Sequence, residues 1–418
     1  MPKRLNLVLS FLFFFLTATA SAAPQRVKTG IDILFEEGEA AALKGKKIGL
    51  ITNHTAINRQ MRPTHDILRQ QEKSYGYKLA ALFAPEHGLH GMAYADEEVE
   101  DDELPQGIPL YSLHGKTRRP TEKMLDGIDL LIFDIQDIGS RSYTYSSTLY
   151  YAMEEAAKRG IEVIVLDRPN PINGITVDGP MLDKEMRSFV GYINVPYCHG
   201  MTIGELARYF NGEYRVGCKL KVVPMKGWNR KMNFEETGLP WIPTSPHIPE
   251  ASTAFYYPAT GIMGELAFVN NGIGYTLPFK LVGAPWIDGK LYAKHLNAQK
   301  FPGVHFEPFH FRPFYGKYAK EDCQGVLVVI TNRQSFKPVT TQYLLLGILK
   351  SLYPEKFNEA FSPESRRLEM FHKVNGTKEI YKIMTQNPYF VWTLRGFQEK
   401  ERDAFRKARR KYLIPAYS

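Results

Sequence analysis

The run Leu130-Leu131-Ile132-Phe133-Asp134-Ile135 is followed by a helical stretch from Ser146 to Arg159, a stop at Gly160, and a second run, Glu162-Val163-Ile164-Val165-Leu166. Both runs are apolar almost throughout, as are strands covered on both faces of a parallel sheet. Between them Leu149, Tyr150, Met153, Ala156 and Ala157 share one helical face, and Gly160 supplies a left-handed C-cap. Strand, crossover helix and strand make a βαβ unit, which sets the fold class as α/β with a Rossmann-like doubly wound sheet.

The same rhythm extends outward from this unit. Lys47 to Thr52 and Leu79 to Ala84 are strand candidates upstream, and Leu220 to Val223 is a weaker one downstream. Helix candidates are His65 to Gln71, Thr121 to Asp126 and Ile203 to Asn211, the last capped by Thr202 with Glu205 completing a capping box. The pattern breaks near Trp241, where Pro240, Pro243, Pro246, Pro249 and Pro258 crowd a stretch unsuited to helix or central strand. Beyond it a strand candidate from Gly325 to Thr331 and helix candidates near Thr340 to Leu352 and Glu399 to Tyr412 show no βαβ rhythm. The expected organisation is a signal peptide at 1–22, a Rossmann-like domain at 23–250, and a smaller mixed α+β domain at 251–418 that completes a cleft.

Lys3 and Arg4, a short apolar run and Ala20-Ser21-Ala22 read as a secretory signal peptide. The expected destination is the periplasm. Of the 418 residues 44% are apolar and 23% charged, and no later stretch approaches the roughly 18 apolar residues of a membrane span. A stable membrane insertion is therefore not expected, and without a lipobox cysteine a lipid anchor is disfavoured. The net charge of +9 is uneven, with an acidic run from Asp96 to Glu103 and a tail rich in lysine and arginine from Lys400 to Lys411. A tail of that kind on an exported protein reads as a solvated helix face, and nucleic acid is not an expected partner. Cys198, Cys218 and Cys323 are too few and too scattered for a disulfide framework, although one Cys198–Cys218 bridge is compatible with export.

In open α/β sheets, ligands bind beyond the carboxyl ends of the strands. There this sequence places Asn53-His54-Thr55, Pro85-Glu86-His87-Gly88, Asp134 to Arg141, and Asp167 to Gly174. Glu86 stands out, because a carboxylate directly after a buried strand has no obvious structural task. The others have structural alternatives. Asn170 and Asn173 are suited to turns, Asp134 and Asp167 to helix caps or to buried pairs with Arg141 and Arg168, and His199 to a position just ahead of a helix. No G-x-S-x-G elbow, P-loop, zincin helix or dinucleotide fingerprint is present, and neither a cofactor nor a metal is expected.

Taken together, Pro85-Glu86-His87-Gly88, Asp134 to Arg141 with Tyr143-Thr144-Tyr145, Asp167 to Gly174, His199 to Ala207, and Gly283-Ala284-Pro285-Trp286-Ile287 resemble the NamZ family of exo-β-N-acetylmuramidases of peptidoglycan recycling. The resemblance runs from about Gly30 to the C-terminus. It implies a Rossmann-like catalytic domain, a smaller C-terminal domain, a cleft for the non-reducing end of a glycan, and a catalytic glutamate at Glu86. Peptidoglycan fragments or muropeptides are the implied partners. The sequence departs from the family pattern at Ala267-Phe268, where a Thr-Asn pair is expected. It departs again at Gly272-Ile273-Gly274-Tyr275, where Gly-Arg-Gly-Thr is expected, and at His247, where an Asn is expected. Lost polar partners in a cleft wall alter sugar recognition.

The mechanism expected from these residues makes Glu86 the general acid, assisted by His87, with Asp134 or Asp137 as the second carboxylate. Arg141, Arg168 and the helix N-terminus beginning near Ser142 to Ser146 are the candidate partners for the lactyl carboxylate of N-acetylmuramic acid, and Tyr143 and Tyr145 for stacking on the sugar. Asn53, His54, Gln136, Asn170, Asn173 and His199 complete the expected substrate-binding set. Two alternatives stay open: an exo-enzyme that releases a disaccharide, and a module that binds muropeptides without cutting them.

Overall fold

The structure, a computed structural model, describes residues 26–104 and 107–418, so the expected signal peptide lies outside the described residues. The first part is built on a seven-stranded sheet. Its strands are β1 (Lys47–Thr52), β2 (Lys78–Ala84), β3 (Asp102–Leu104), β4 (Ile108–Ser112), β5 (Leu130–Asp134), β6 (Glu162–Leu166) and β7 (Lys219–Val223), in spatial order β3-β4-β2-β1-β5-β6-β7. Every pairing is parallel except that of β3 with β4. From β1 the chain builds towards β2 on one side and towards β5 on the other, which creates a topological switch point between β1 and β5.

Alternation along the central strands feeds two apolar layers. Leu130, Ile132, Ile164 and Leu166 face α1 (Gly30–Glu36) and α2 (Thr64–Tyr75) through Leu34 and Leu68. Leu131, Phe133, Val163 and Val165 face the opposite layer, with Leu149 and Met153 of α3 (Tyr145–Arg159) and Leu206 and Phe210 of α4 (Ile203–Glu213). Gly49 in β1 is a packing requirement, since a Cβ there would lie 2.8 Å from both Leu131 and Phe83.

The second part carries α5 (Thr253–Gly264), β8 (Leu281–Ala284), α6 (Gly289–Ala298), β9 (Val304–Phe311), β10 (Cys323–Ile330) and α7 (Pro338–Leu352), followed by short helices out to Ala408. Its strands form an antiparallel sheet in the order β8-β10-β9. The apolar cluster that includes Phe133 and Leu149 continues through Phe255, Ile262, Val282 and Leu345, so both parts share one core.

Some sequence expectations are corrected. Pro258 lies inside α5, although prolines argued against a helix there. Ala254, Phe255, Ala259 and Ile262 of this helix are buried, and that burial outweighs one missing backbone hydrogen bond. The helix expected over Thr121 to Asp126 is only a short 3₁₀ turn, Lys123–Leu125. The basic tail is not wholly a solvated face. Arg402 and Arg409 are buried, Arg409 donating to the carbonyls of His199 and Gly200 at 2.6 and 2.7 Å and Arg402 to those of Phe397 and Gly179. All three cysteines are free and buried.

Candidate active site

Glu86 lies two residues beyond β2, on a loop that turns sharply because His87 and Gly88 both adopt positive φ, 71° and 76°. The turn is held by the Gly88 N–H on the Pro85 carbonyl and by the His87 imidazole, whose Nδ1 lies 2.8 Å from the Ala93 carbonyl. This loop fixes the buried Glu86 carboxylate from both sides. One oxygen accepts a hydrogen bond from the Thr144 hydroxyl and the other accepts one from the Asp96 N–H at 3.2 Å. Thr144 occupies the N-cap position of α3 but spends its hydroxyl on Glu86 rather than on capping the helix. The His114 Nε2 stands 3.7 Å from Glu86 in a buried position, where burial lowers the imidazole pKa and the nearby Glu86 carboxylate opposes that shift.

The carboxylate faces a cavity of about 160 Å³ between the two parts of the molecule. The first part contributes Glu86, His87, Asp96, Ser142, Tyr143 and Thr144; the remaining walls include Ser245, His247, Tyr257, Glu265, Phe279 and Met370. A larger space of about 560 Å³ adjoins it across shared walls at His247, Tyr257 and Glu265, and extends to Lys317 and Arg367. Hydrogen bonds organise the aromatic wall. Ser142 links the phenols of Tyr197 and Tyr257 at 2.6 and 3.1 Å, and Tyr143 donates to Thr244 at 2.8 Å. His247 is half-buried and bonded to the Tyr315 phenol at 2.8 Å, and burial lowers its pKa.

Of the residues expected from sequence, Glu86, His87 and Tyr143 line this cavity. The rest do not, and each has a structural engagement that explains why. Asp134 is fully buried, takes a bidentate interaction from Arg168 at 2.5 and 3.0 Å, and accepts from Thr64 at 2.6 Å. Neither member of that pair is available to substrate. Asp137 forms the turn after β5 by accepting from the Gly139 N–H at 2.7 Å, and its enclosure raises its pKa to about 7. Arg141 spends its guanidinium on the carbonyls of Pro180, Val195, Val374 and Asn375, so it ties helix Leu368–Asn375 to the first part instead of receiving a carboxylate.

Tyr145 is buried, with its hydroxyl on the Thr244 carbonyl, and offers no face to a sugar. Asn53 accepts from both the N–H and the hydroxyl of Thr55, and His54 bonds the Pro243 carbonyl at 2.6 Å. Gln136 donates to the carbonyls of Asp137 and Pro169. Asn170 accepts from Ile172 N–H, and Asn173 from the N–H groups of Ile175 and Thr176, as turn residues do. His199 accepts from the Met201 N–H, and burial depresses it to about 3.

Sequence reasoning missed Asp96, Tyr257 and Glu265, and reached Ser142 and Thr144 only as part of a helix N-terminus. Thr144 lies within the quoted Tyr143-Thr144-Tyr145 triplet, and Asp96 was hidden in an acidic run. Glu265, directly after α5, carries no sequence signal. In the structure burial pushes its carboxyl up to about 7, with Asp96 adding to the rise and Arg367 opposing it. Glu86, Asp96 and His114 also bring three potential ligand atoms within 4.8 Å of one another, the one such grouping found among the described residues.

Comparison with known proteins agrees with this two-part arrangement. Models of the N-terminal and C-terminal parts of exo-β-N-acetylmuramidase NamZ match residues 48–252 and 255–414. The chain belongs to the NamZ family. It is 42% identical to the peptidoglycan β-N-acetylmuramidase NamZ of Bacillus subtilis (strain 168), over 99% of this chain and 100% of that protein. A crystal structure of a DUF1343 family protein from Bacteroides fragilis NCTC 9343 superposes with a TM-score of 0.87 at 42% identity, covering 93% of this chain and 99% of that one. A second DUF1343 family protein from the same strain gives 0.67 at 26% identity, covering 93% and 98%. Among the departures noted above, Ala267 and Ile273 line the larger space and His247 lines both, whereas Phe268 and Tyr275 line neither.

Proposed function

We propose that this protein is an exo-acting β-N-acetylmuramidase that hydrolyses N-acetylmuramic acid from the non-reducing end of peptidoglycan-derived saccharides in the periplasm. Family membership across both parts of the chain supports the activity class. The observation that carries the reading is Glu86 itself, a buried carboxylate held by two donors at the wall of a cavity large enough for a sugar. Glycoside hydrolysis needs a carboxylate beside the anomeric carbon, where an oxocarbenium-like centre develops, and a proton donor at the leaving oxygen. Ser142, Tyr143, Ser245 and His247 offer hydrogen-bonding and ring contacts around the same space.

With Arg141 and Arg168 engaged elsewhere, the cationic groups left to meet a lactyl or peptide carboxylate are Lys317 and Arg367, in the adjoining space. That space, lined by Ala267 and Ile273, favours a second reading in which a longer unit is accepted and a disaccharide released. Incubating the purified protein with a nitrophenyl β-N-acetylmuramide and with defined peptidoglycan saccharides, followed by mass analysis of products, tests both. Release of free N-acetylmuramic acid supports the first reading and release of a disaccharide the second. Tight binding without cleavage would reduce the protein to a muropeptide-binding module.

A further inference from the structure

Resting on the hydrolase reading, we infer that Glu265, not Glu86, is the proton donor to the glycosidic oxygen, and that Glu86 acts as the ionised carboxylate. The two glutamates share a cavity but differ in their surroundings. Glu86 accepts hydrogen bonds on both oxygens, from Thr144 and from the Asp96 N–H, an arrangement suited to a fixed negative charge. The Glu265 side chain is half-buried and makes no hydrogen bond or ion pair among the described residues, yet it lines both the Glu86 cavity and its larger neighbour. It therefore stands at the junction of the two spaces, where a bond between a sugar in one and its leaving group in the other would lie.

The groups facing Glu265 fit a carboxyl that keeps its proton near neutrality. Asp96 repels a second negative charge, Arg367 offsets part of that repulsion, and Tyr257 is within electrostatic reach of both Glu265 and Glu86. His87, His247, Tyr143, Tyr197 and Lys317 are the other charged or titratable side chains on the walls of the two spaces, and burial lowers the His247 pKa. Burial brings the Glu265 carboxyl to about 7, in the range useful to a general acid. In the reaction the C1–O bond breaks and its electron pair stays with the leaving oxygen, which takes the Glu265 proton. Water then supplies the new hydroxyl at C1, and its remaining proton restores the Glu265 carboxyl.

Leaving-group dependence in Glu265→Gln and Glu86→Gln proteins tests the assignment, because a nitrophenolate needs little protonation and a sugar hydroxyl needs much. Glu265→Gln should lose about 10²- to 10⁴-fold in kcat on a peptidoglycan disaccharide with N-acetylmuramic acid at its non-reducing end but less than about 10-fold on the nitrophenyl substrate. Wild-type kcat/KM on the disaccharide should fall above about pH 7, a limb absent from the residual activity of the variant. Glu86→Gln should lose both substrates alike. Leaving-group-dependent loss in Glu86→Gln, or near-normal disaccharide turnover by folded Glu265→Gln, would return the donor role to Glu86. Equal loss of both substrates in Glu265→Gln would mark a binding role and also overturn the inference. Wild-type protein that cleaves neither substrate would instead sink the hydrolase reading beneath it. Thermal melting at pH 8 checks folding, where the neutral Gln should melt no lower than wild type.

Discussion

Two regions at the carboxyl ends of the sheet carry dense polar sequence, and only one opens onto a substrate-sized space. The crevice between β1 and β5, where strand order reverses, is the position a doubly wound sheet usually offers to a ligand. Here it is filled: Asp134, Arg168, Thr64, Thr55 and Gln136 bond to one another or to nearby backbone, and little room remains above them. At the end of β2, by contrast, Glu86 faces a cavity that needs the second part of the chain to close it. Polar density alone does not distinguish the two regions. Saturation does, since in the first region most polar groups already have protein partners, whereas in the second Glu265 keeps its carboxyl unbonded.

Glu86→Gln should cut kcat by about 10³-fold or more on either substrate while leaving melting temperature within a few degrees of wild type. Unchanged turnover in this variant would show that the β2 opening is not the reaction site. Next in size, Asp134→Ala leaves Arg168 buried and unpaired, a change worth about 3–5 kcal/mol of stability. The folded fraction of that variant, measured per mole of native protein, should retain its kcat. A selective loss of kcat without destabilisation would instead place chemistry at the β1–β5 crevice.

Asp137 sharpens the contrast through pH. Burial raises it from its ordinary 3.8 to about 7, so the folded state holds this proton more tightly than the unfolded chain does. Its contribution to stability is full below about pH 4 and is lost as pH rises through 7. Asp137→Asn removes that titration, so the stability of the variant relative to wild type should climb between pH 4 and 7 and level off above. A pH-independent difference in melting would contradict the burial argument. The smallest effect concerns thiols. Denatured, non-reduced protein should yield three alkylated cysteines, since all three are free; a count of one would reveal a bridge that the packed interior does not show.

Much of this was legible in the residues. β1 and β6 begin and end where their β-branched runs predict, and the Thr202–Glu205 capping box forms at the start of α4. The structural alternatives weighed for Asp134, Asn170, Asn173 and His199 describe their observed partners, because local turn chemistry and charge pairing leave marks at short range. Glu86 was visible as a carboxylate without a structural task. Glu265 was not visible, since its environment is made by Asp96, Arg367 and Tyr257, which are far apart in sequence and meet only when the second part closes over the sheet. Tertiary burial likewise overrode the local signal at Pro258.

The tail has a consequence for how the molecule reaches this state. Asp167, at the end of β6, is fully buried and accepts from Thr202, the Gly204 N–H and the phenol of Tyr417, a residue 250 positions away. Arg230 and Met225 are likewise completed by Tyr417, through its carbonyl and its hydroxyl. The carboxyl end of β6 gains its last hydrogen bonds only when the final helical turn is in place, across a loop whose closure costs entropy. The end of the chain thus belongs to the polar core of the first part, and Asp167, Met225 and Arg230 keep hydrogen-bonding groups open until Tyr417 docks.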